Sequence, residues 1–210
     1  MSAPSRSPSR VFLLSPARCS GKRAEVLLSA RAEFPLARRL RSSADAPLGE
    51  VFAFLSGLYF RGKLAYALAF ARPPTGLAAC SALVITPTRG LLPTSTPVGL
   101  PLLREFATVD VDPAERRYRA PVMRDALALR QALGPGEAVL LGSLATGKYL
   151  EVLAPCFGDR LLYPRAFLGL GDMSRGALLL RCARRGRELS YSPASAATLS
   201  LPDRERYVPQ

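Results

Sequence analysis

The sequence predicts an α/β fold: a single domain with a mainly parallel central sheet, flanking helices and a β-hairpin near its C-terminal end. Three observations carry this. VFLLS (11–15), ALVIT (82–86) and AVLLGS (138–143) are short apolar runs without polar alternation, as expected of strands buried on both faces. Stretches of helical length lie between them, the order that builds parallel sheets. At 210 residues and 49% hydrophobic, the chain can fill one core, burying roughly 70% of its extended-chain surface.

Residues 1–10, rich in Ser, Pro and Arg, form a flexible basic lead to a domain over 11–191. Residues 24–41 stay open, because LARRLR has helical spacing while Pro35 interrupts it. DAPLGEVFAFLSG places Asp45 at a capping position and Pro47 in a first turn, predicting a helix that ends at Gly57. GKLAYALAFA predicts a second helix, stopped by Pro73-Pro74, so 46–72 reads as a helical hairpin. ATVDVD (107–112) reads as a short edge strand. APVMRDALALRQALG is the clearest amphipathic helix, with Val122, Ala126, Leu129 and Leu133 on one face and Gly134 at its end. KYLEVLAPCF reads as a helix, and ALLLRCARRGRELSY as a hairpin turning at Arg185-Gly186. Residues 192–210 lack periodicity and are expected to wrap the surface.

The net charge is +13 and the pI near 10.5, which favours polyanions as partners, nucleic acid first. The longest apolar run, Val51–Phe60, is too short to span a membrane. Val11–Leu14 is too short for a secretory signal core, so a cytoplasmic protein is expected. The chain has no histidine, which removes Ser-His-Asp, Cys-His and His-metal chemistry. Cys19, Cys80, Cys156 and Cys182 lack C-x-x-C spacing, so no metal site and no disulfide framework is expected. Nothing calls for a cofactor.

The three apolar strands end in similar turns. The first supplies Ser15, Arg18, Ser20 and Lys22, the second Thr86, Thr88 and Arg89, and the third Ser143, Thr146 and Lys148. In a parallel sheet such ends face one crevice, where hydroxyls, cations and helix N-termini suit a phosphate or carboxylate. Ordinary turn chemistry accounts for any one of them alone. The lysines, Lys22, Lys63 and Lys148, each follow a glycine, a pattern suited to a compact ammonium beside exposed backbone.

Gly142–Lys148 has Walker A spacing, but Tyr149 stands where a magnesium-holding Ser or Thr is needed, and no later strand ends in a Walker B Asp. GLGDMSRG (169–176) reads either as a connector or as a further part of the site, bringing Asp172, Ser174 and Arg175. LSGLYFRGKLAYAL (55–68) reads either as an ordinary helical hairpin or as a helix-hairpin-helix with a turn about two residues too long. In the second case Tyr59, Arg61 and Lys63 contact nucleic acid.

Taken in order, LLSPARC, GLYFRGKLAYA, ITPTRGLLPT, LGSLATGKYLEVL and GDMSRG resemble segments of the YaaA peroxide-stress family and allied bacterial domains. Arg18 stands at that family's lysine, Cys19 at its threonine and Lys148 at a glutamate. The resemblance implies a cytosolic α/β protein with a DNA-binding helical hairpin and a link to oxidative stress. Arg18, Lys22, Arg23 and a helix start could activate Cys19, but the family's threonine there points to an incidental thiol.

Two functions follow. One is a nucleic-acid-binding protein, DNA favoured and with little sequence preference, carrying a phosphate pocket at the sheet's carboxyl edge. The other is a nucleotide- or nucleobase-processing enzyme. There, Asp172 or Glu151 would be general acid or base, with Lys22, Lys148 and Arg175 holding negative charge.

Overall fold

The computed structural model describes residues 8–42 and 44–199. The chain runs β1 (Arg10–Leu14), α1 (Lys22–Leu28), α2 (Pro35–Arg41), β2 (Ala46–Pro47), α3 (Leu48–Ser56) and α4 (Leu58–Phe70). It continues through β3 (Ala82–Ile85), β4 (Leu91–Pro93), β5 (Pro97–Val98), α5 (Leu100–Ala107), α6 (Arg116–Leu133), β6 (Glu137–Leu141) and α7 (Leu150–Phe157). β7 (Leu161–Pro164), α8 (Asp172–Arg184), β8 (Tyr191–Pro193) and α9 (Ala194–Leu199) close it.

β1 lies inside the sheet because Val11–Leu14 leave no face for water; all four are fully buried. The six strands are ordered β4-β3-β1-β6-β7-β8. β1 pairs in parallel with β3 and with β6, in registers that set Leu14 against Val84 and Leu141, and β6 pairs in parallel with β7. β4 and β8 lie antiparallel at the two edges. The carboxyl ends of β1, β3 and β6 are therefore neighbours, and the chain switches direction around β1.

The α/β class holds, including the antiparallel pair that closes it, but that pair is β7–β8. Residues 177–184, expected as a strand, belong to α8. Its inner face, Gly176, Leu179 and Cys182, has the three-residue spacing of a helix. Arg185-Gly186 is a turn, but it ends a helix. Residues 107–112 form no strand either; Val109 is buried from irregular chain.

Asp45 is not a cap: β2 intervenes, and α3 starts at Leu48 after Pro47. α6 begins four residues before the expected stretch, where the Glu115 side chain accepts from the Arg117 N–H (2.9 Å), and it continues through Pro121. Its inner face is the expected one with Tyr118 added. Arg10, expected in the mobile lead, starts β1 and ion-pairs with Glu137 (2.7 Å) and Glu188 (2.6 Å). Residues 1–7 and 200–210 of the expected lead and tail lie outside the described residues; 192–199 contribute to β8 and form α9.

Two glycines set how closely α4 and α8 approach. A Cβ on Gly62 would stand 2.6 Å from the Gly176 carbonyl oxygen, and one on Gly176 would stand 2.8 Å from the Tyr59 Cα. Only hydrogen fits at either place. This crossing carries the first turn of α8, with Asp172, over Tyr59 and Lys63 on α4. No helix among the described residues is long and apolar enough to cross a membrane.

Candidate functional site

β1 and β6 run into loops that close on each other. The Ser15 N–H donates to the Leu141 carbonyl at 3.1 Å, tying the ends of the two strands together. Gly142 then leaves room for the opposite loop: a Cβ there would meet the Ser15 Cβ at 3.1 Å and the Tyr149 ring at 3.3 Å. The second loop is held by the Tyr118 hydroxyl, which donates to the Lys148 carbonyl at 3.0 Å. Gly147 takes φ +66°, the left-handed conformation that favours glycine, before α7 begins.

Between these loops and the α3–α4 turn lies a cavity of about 360 Å³. Ser15, Arg18, Tyr59, Lys63, Ser143, Thr146, Lys148, Tyr149 and Asp172 line it. A second cavity of about 450 Å³ adjoins it, sharing Arg18, Lys148 and Tyr149, with Ser20, Phe106, Asp110 and Asp112 farther along. The first chamber thus has three basic side chains, Arg18, Lys63 and Lys148, against one carboxylate. Arg18 and Lys148 make no ion pair with any described residue, although ten such pairs occur elsewhere.

Lys63 lies at the floor, only 1% exposed. Its amine donates to the Ser15 carbonyl (2.6 Å) and to the Ser15 hydroxyl (2.7 Å), and sits 4.5 Å and 4.9 Å from the ring centres of Tyr59 and Phe60. No carboxylate among the described residues ion-pairs with it. Burial therefore dominates and lowers its pKa to about 7, against a smaller upward pull from Asp172. The Tyr59 hydroxyl beside it is buried with no hydrogen-bond partner among the described residues, and burial pushes the Tyr59 and Tyr149 phenols up. An unsatisfied buried hydroxyl costs about 1–3 kcal/mol, a cost that a ligand's acceptor or donor would remove.

The structure thus brings together expected residues from two of the three strand ends: Ser15, Arg18, Ser143, Thr146 and Lys148 in the first chamber, with Ser20 in the second. The third strand end reaches the second chamber only through Pro87, and its hydroxyls and cation are engaged elsewhere. The Thr86 hydroxyl donates to the Gly90 carbonyl (2.9 Å) and accepts from the Arg89 N–H (3.0 Å). Thr88 donates to Glu105, and Arg89 holds the same carboxylate through two nitrogens (2.7 and 2.5 Å). These three residues serve their own turn. Lys22 and Ser174 are exposed and line neither chamber, and Glu151, on the first turn of α7, lines neither as well. Arg175 folds back, donating to the Phe167 carbonyl (3.2 and 3.3 Å), with its guanidinium 5.5 Å from the Phe167 ring centre. GLGDMSRG is no loop at its end, since Asp172 opens α8.

The helical hairpin is the main correction. Its turn is one residue, Gly57 at φ +63°, and Tyr59, Arg61 and Lys63 all lie within α4. Tyr59 and Lys63 face inward and form no external phosphate-binding turn; Arg61 alone is exposed, near Arg23 across the Gly57 turn. The shared Gly-Lys dipeptide has no shared cause. Gly21 has open space around it, Gly62 is a packing contact and Gly147 makes a turn.

Sequence reasoning missed Lys63 as a cavity residue and Asp110 and Asp112 altogether. The signal for Lys63 was present: Tyr59, Lys63, Tyr66 and Ala67 are spaced as one face of a helix, with a single lysine among buried partners. Cys19 lies beside the site but is 6% exposed, and burial pushes its thiol up to about 12, so it is not an activated nucleophile. No protein-family model, curated protein or solved structure matches the chain.

Proposed function

We propose that this protein binds nucleic acid, DNA first and with little sequence preference, and seats a phosphate-bearing unit in the cleft where β1 and β6 end. The observation that carries this reading is the pair Arg18 and Lys148. Both line the two chambers, and neither makes an ion pair with a carboxylate among the described residues. Cations left unpaired beside a cavity attract an anion more strongly than cations spread over open surface, because the low-dielectric walls screen them less. Arg23 and Arg61, flanking the Gly57 turn, line a further pocket and add positive charge there. The net charge of +13 and the resemblance to the YaaA family support the same reading. We place the protein in the cytoplasm, where its four unpaired thiols persist.

Anisotropy titration of a labelled 20-base-pair duplex over a range of salt tests this. Four or more phosphate contacts give a log–log slope of about −3.6 or steeper. Arg18→Gln and Lys148→Gln each reduce the slope by about 1. Absence of binding, or a flat slope, overturns the reading.

A further inference from the structure

Lys63 is buried at the bottom of a cleft lined with cations, and no carboxylate among the described residues ion-pairs with it. A neutral amine has two N–H donors and one lone pair; an ammonium has three donors and none. Ser15 supplies two acceptors, its carbonyl and its hydroxyl, at 2.6 and 2.7 Å. That set satisfies the neutral amine completely and leaves its lone pair unused. Two phenols, Tyr59 and Tyr149, and the Asp172 carboxylate line the same chamber and can carry protons. The cations at its mouth, Arg18 and Lys148, suit a phosphate. An amine poised this way is a nucleophile toward carbonyl carbon.

We infer that Lys63 forms a covalent imine with an aldehyde carried next to a phosphate, the phosphate being held by Arg18 and Lys148. The inference rests on the phosphate-binding reading above and assigns it a chemistry. The Lys63 Nζ lone pair attacks the aldehyde carbon, forming the C–N bond while the carbonyl π pair moves to oxygen. That oxygen gains a proton and the nitrogen loses one, giving a carbinolamine. Protonation of its hydroxyl by a chamber acid expels water as the nitrogen lone pair forms the C=N bond, and the resulting iminium returns its N–H proton to the conjugate base of that acid. The sum is amine plus aldehyde to imine plus water, with no change of oxidation state.

Two sources present this chemistry: the open-chain form of a free aldose phosphate, and the ring-opened sugar of an abasic position in DNA. The test incubates the full chain with ribose 5-phosphate in one arm and an abasic-site oligonucleotide in the other. Borohydride then reduces any imine to a stable secondary amine, and peptide mass mapping locates it. With three lysines in the chain, Lys22 and Lys148 are internal controls. The expected adduct is on Lys63, in either arm, and the arm that reacts identifies the source. Trapping rises through about pH 7, where the amine becomes neutral under the opposing influences of burial and Asp172, with Tyr59, Tyr149, Arg18 and Lys148 as its other charged or titratable neighbours. Lys63→Gln lowers total adduct about tenfold or more.

Non-aldehyde analogues, ribitol 5-phosphate and a tetrahydrofuran-site oligonucleotide, separate the two readings. If an analogue binds while no adduct forms, or adduct forms only on Lys22 or Lys148, the imine is overturned and phosphate binding stands. If neither the analogues nor the aldehydes bind, both fail.

Discussion

Two strand ends that read alike in sequence have opposite fates. The turn after β3 and the loop after β6 both offer two hydroxyls, a glycine and a cation. After β3, Thr86 closes its own turn and Glu105, arriving on α5, takes up both Thr88 and Arg89. After β6, Lys148 makes no ion pair among the described residues, and the loop opens onto two chambers. The polar groups of the β3 turn are taken up by the turn and by Glu105, whereas Arg18 and Lys148 on the β1 and β6 loops make no ion pair among the described residues. Turn composition does not distinguish the two cases. The arrival of one acidic side chain from a distant helix does.

If the charge that α4 buries beneath the open loops is kept at a cost to stability, removing it should stabilise the fold. Lys63→Met is expected to raise unfolding free energy by about 3 kcal/mol at pH 6, the largest effect in this set. The sign follows from linkage. The unfolded lysine holds its proton to about pH 10.4, while the folded one releases it near 7. Between those values the unfolded state binds more protons, so the native protein gains stability as pH rises. The advantage of Lys63→Met should accordingly be full below pH 7 and shrink toward pH 10. Urea titrations at three pH values check this, and a pH-independent difference would refute a penalty from charge.

Next is the crossing that brings Asp172 over the chamber. Gly176→Ala forces a methyl against the Tyr59 backbone, with an expected loss of about 2 kcal/mol. Asp172 should shift with α8, so phosphate affinity should change as well. The β3 turn, distant from that contact, should keep its hydrogen-exchange protection. Equal loss of protection at both would show that the two regions are not independent.

Lys148→Ala is expected to weaken binding of a nucleoside monophosphate about tenfold, the effect of one charge-assisted hydrogen bond. A chelator should change nothing, because Tyr149 stands where a magnesium-holding hydroxyl would have to be. Calorimetry with and without chelator reads both, and chelator-sensitive triphosphate binding would restore a Walker-type loop. The smallest effect tests the closed turn directly. Glu105→Gln releases Arg89 from its bidentate partner and should raise duplex DNA affinity about twofold at low salt. No gain would mean that Arg89 is too far from the bound strand to matter.

The sequence by itself determined the α/β class, the three parallel strands and the meeting of their ends. Apolar runs such as Val11–Leu14 can be buried only between two covered faces, and parallel pairing then brings the carboxyl ends to one edge. It also determined the inner face of α6, because side-chain direction on a helix follows from spacing. It did not determine α8 or the short helix α5. The apolar run in ALLLRCARRGRELSY fits a strand as well as a helix, and only packing of Gly176 against Gly62 separates them. Tertiary structure alone decided which polar groups are spent and which are free. Glu105 lies 16 and 17 residues from the groups it neutralises, and Lys63 lies 48 from the serine that receives its amine. Hydrogen bonds and ion pairs form between neighbours in space, and no local pattern of residues records who those neighbours are.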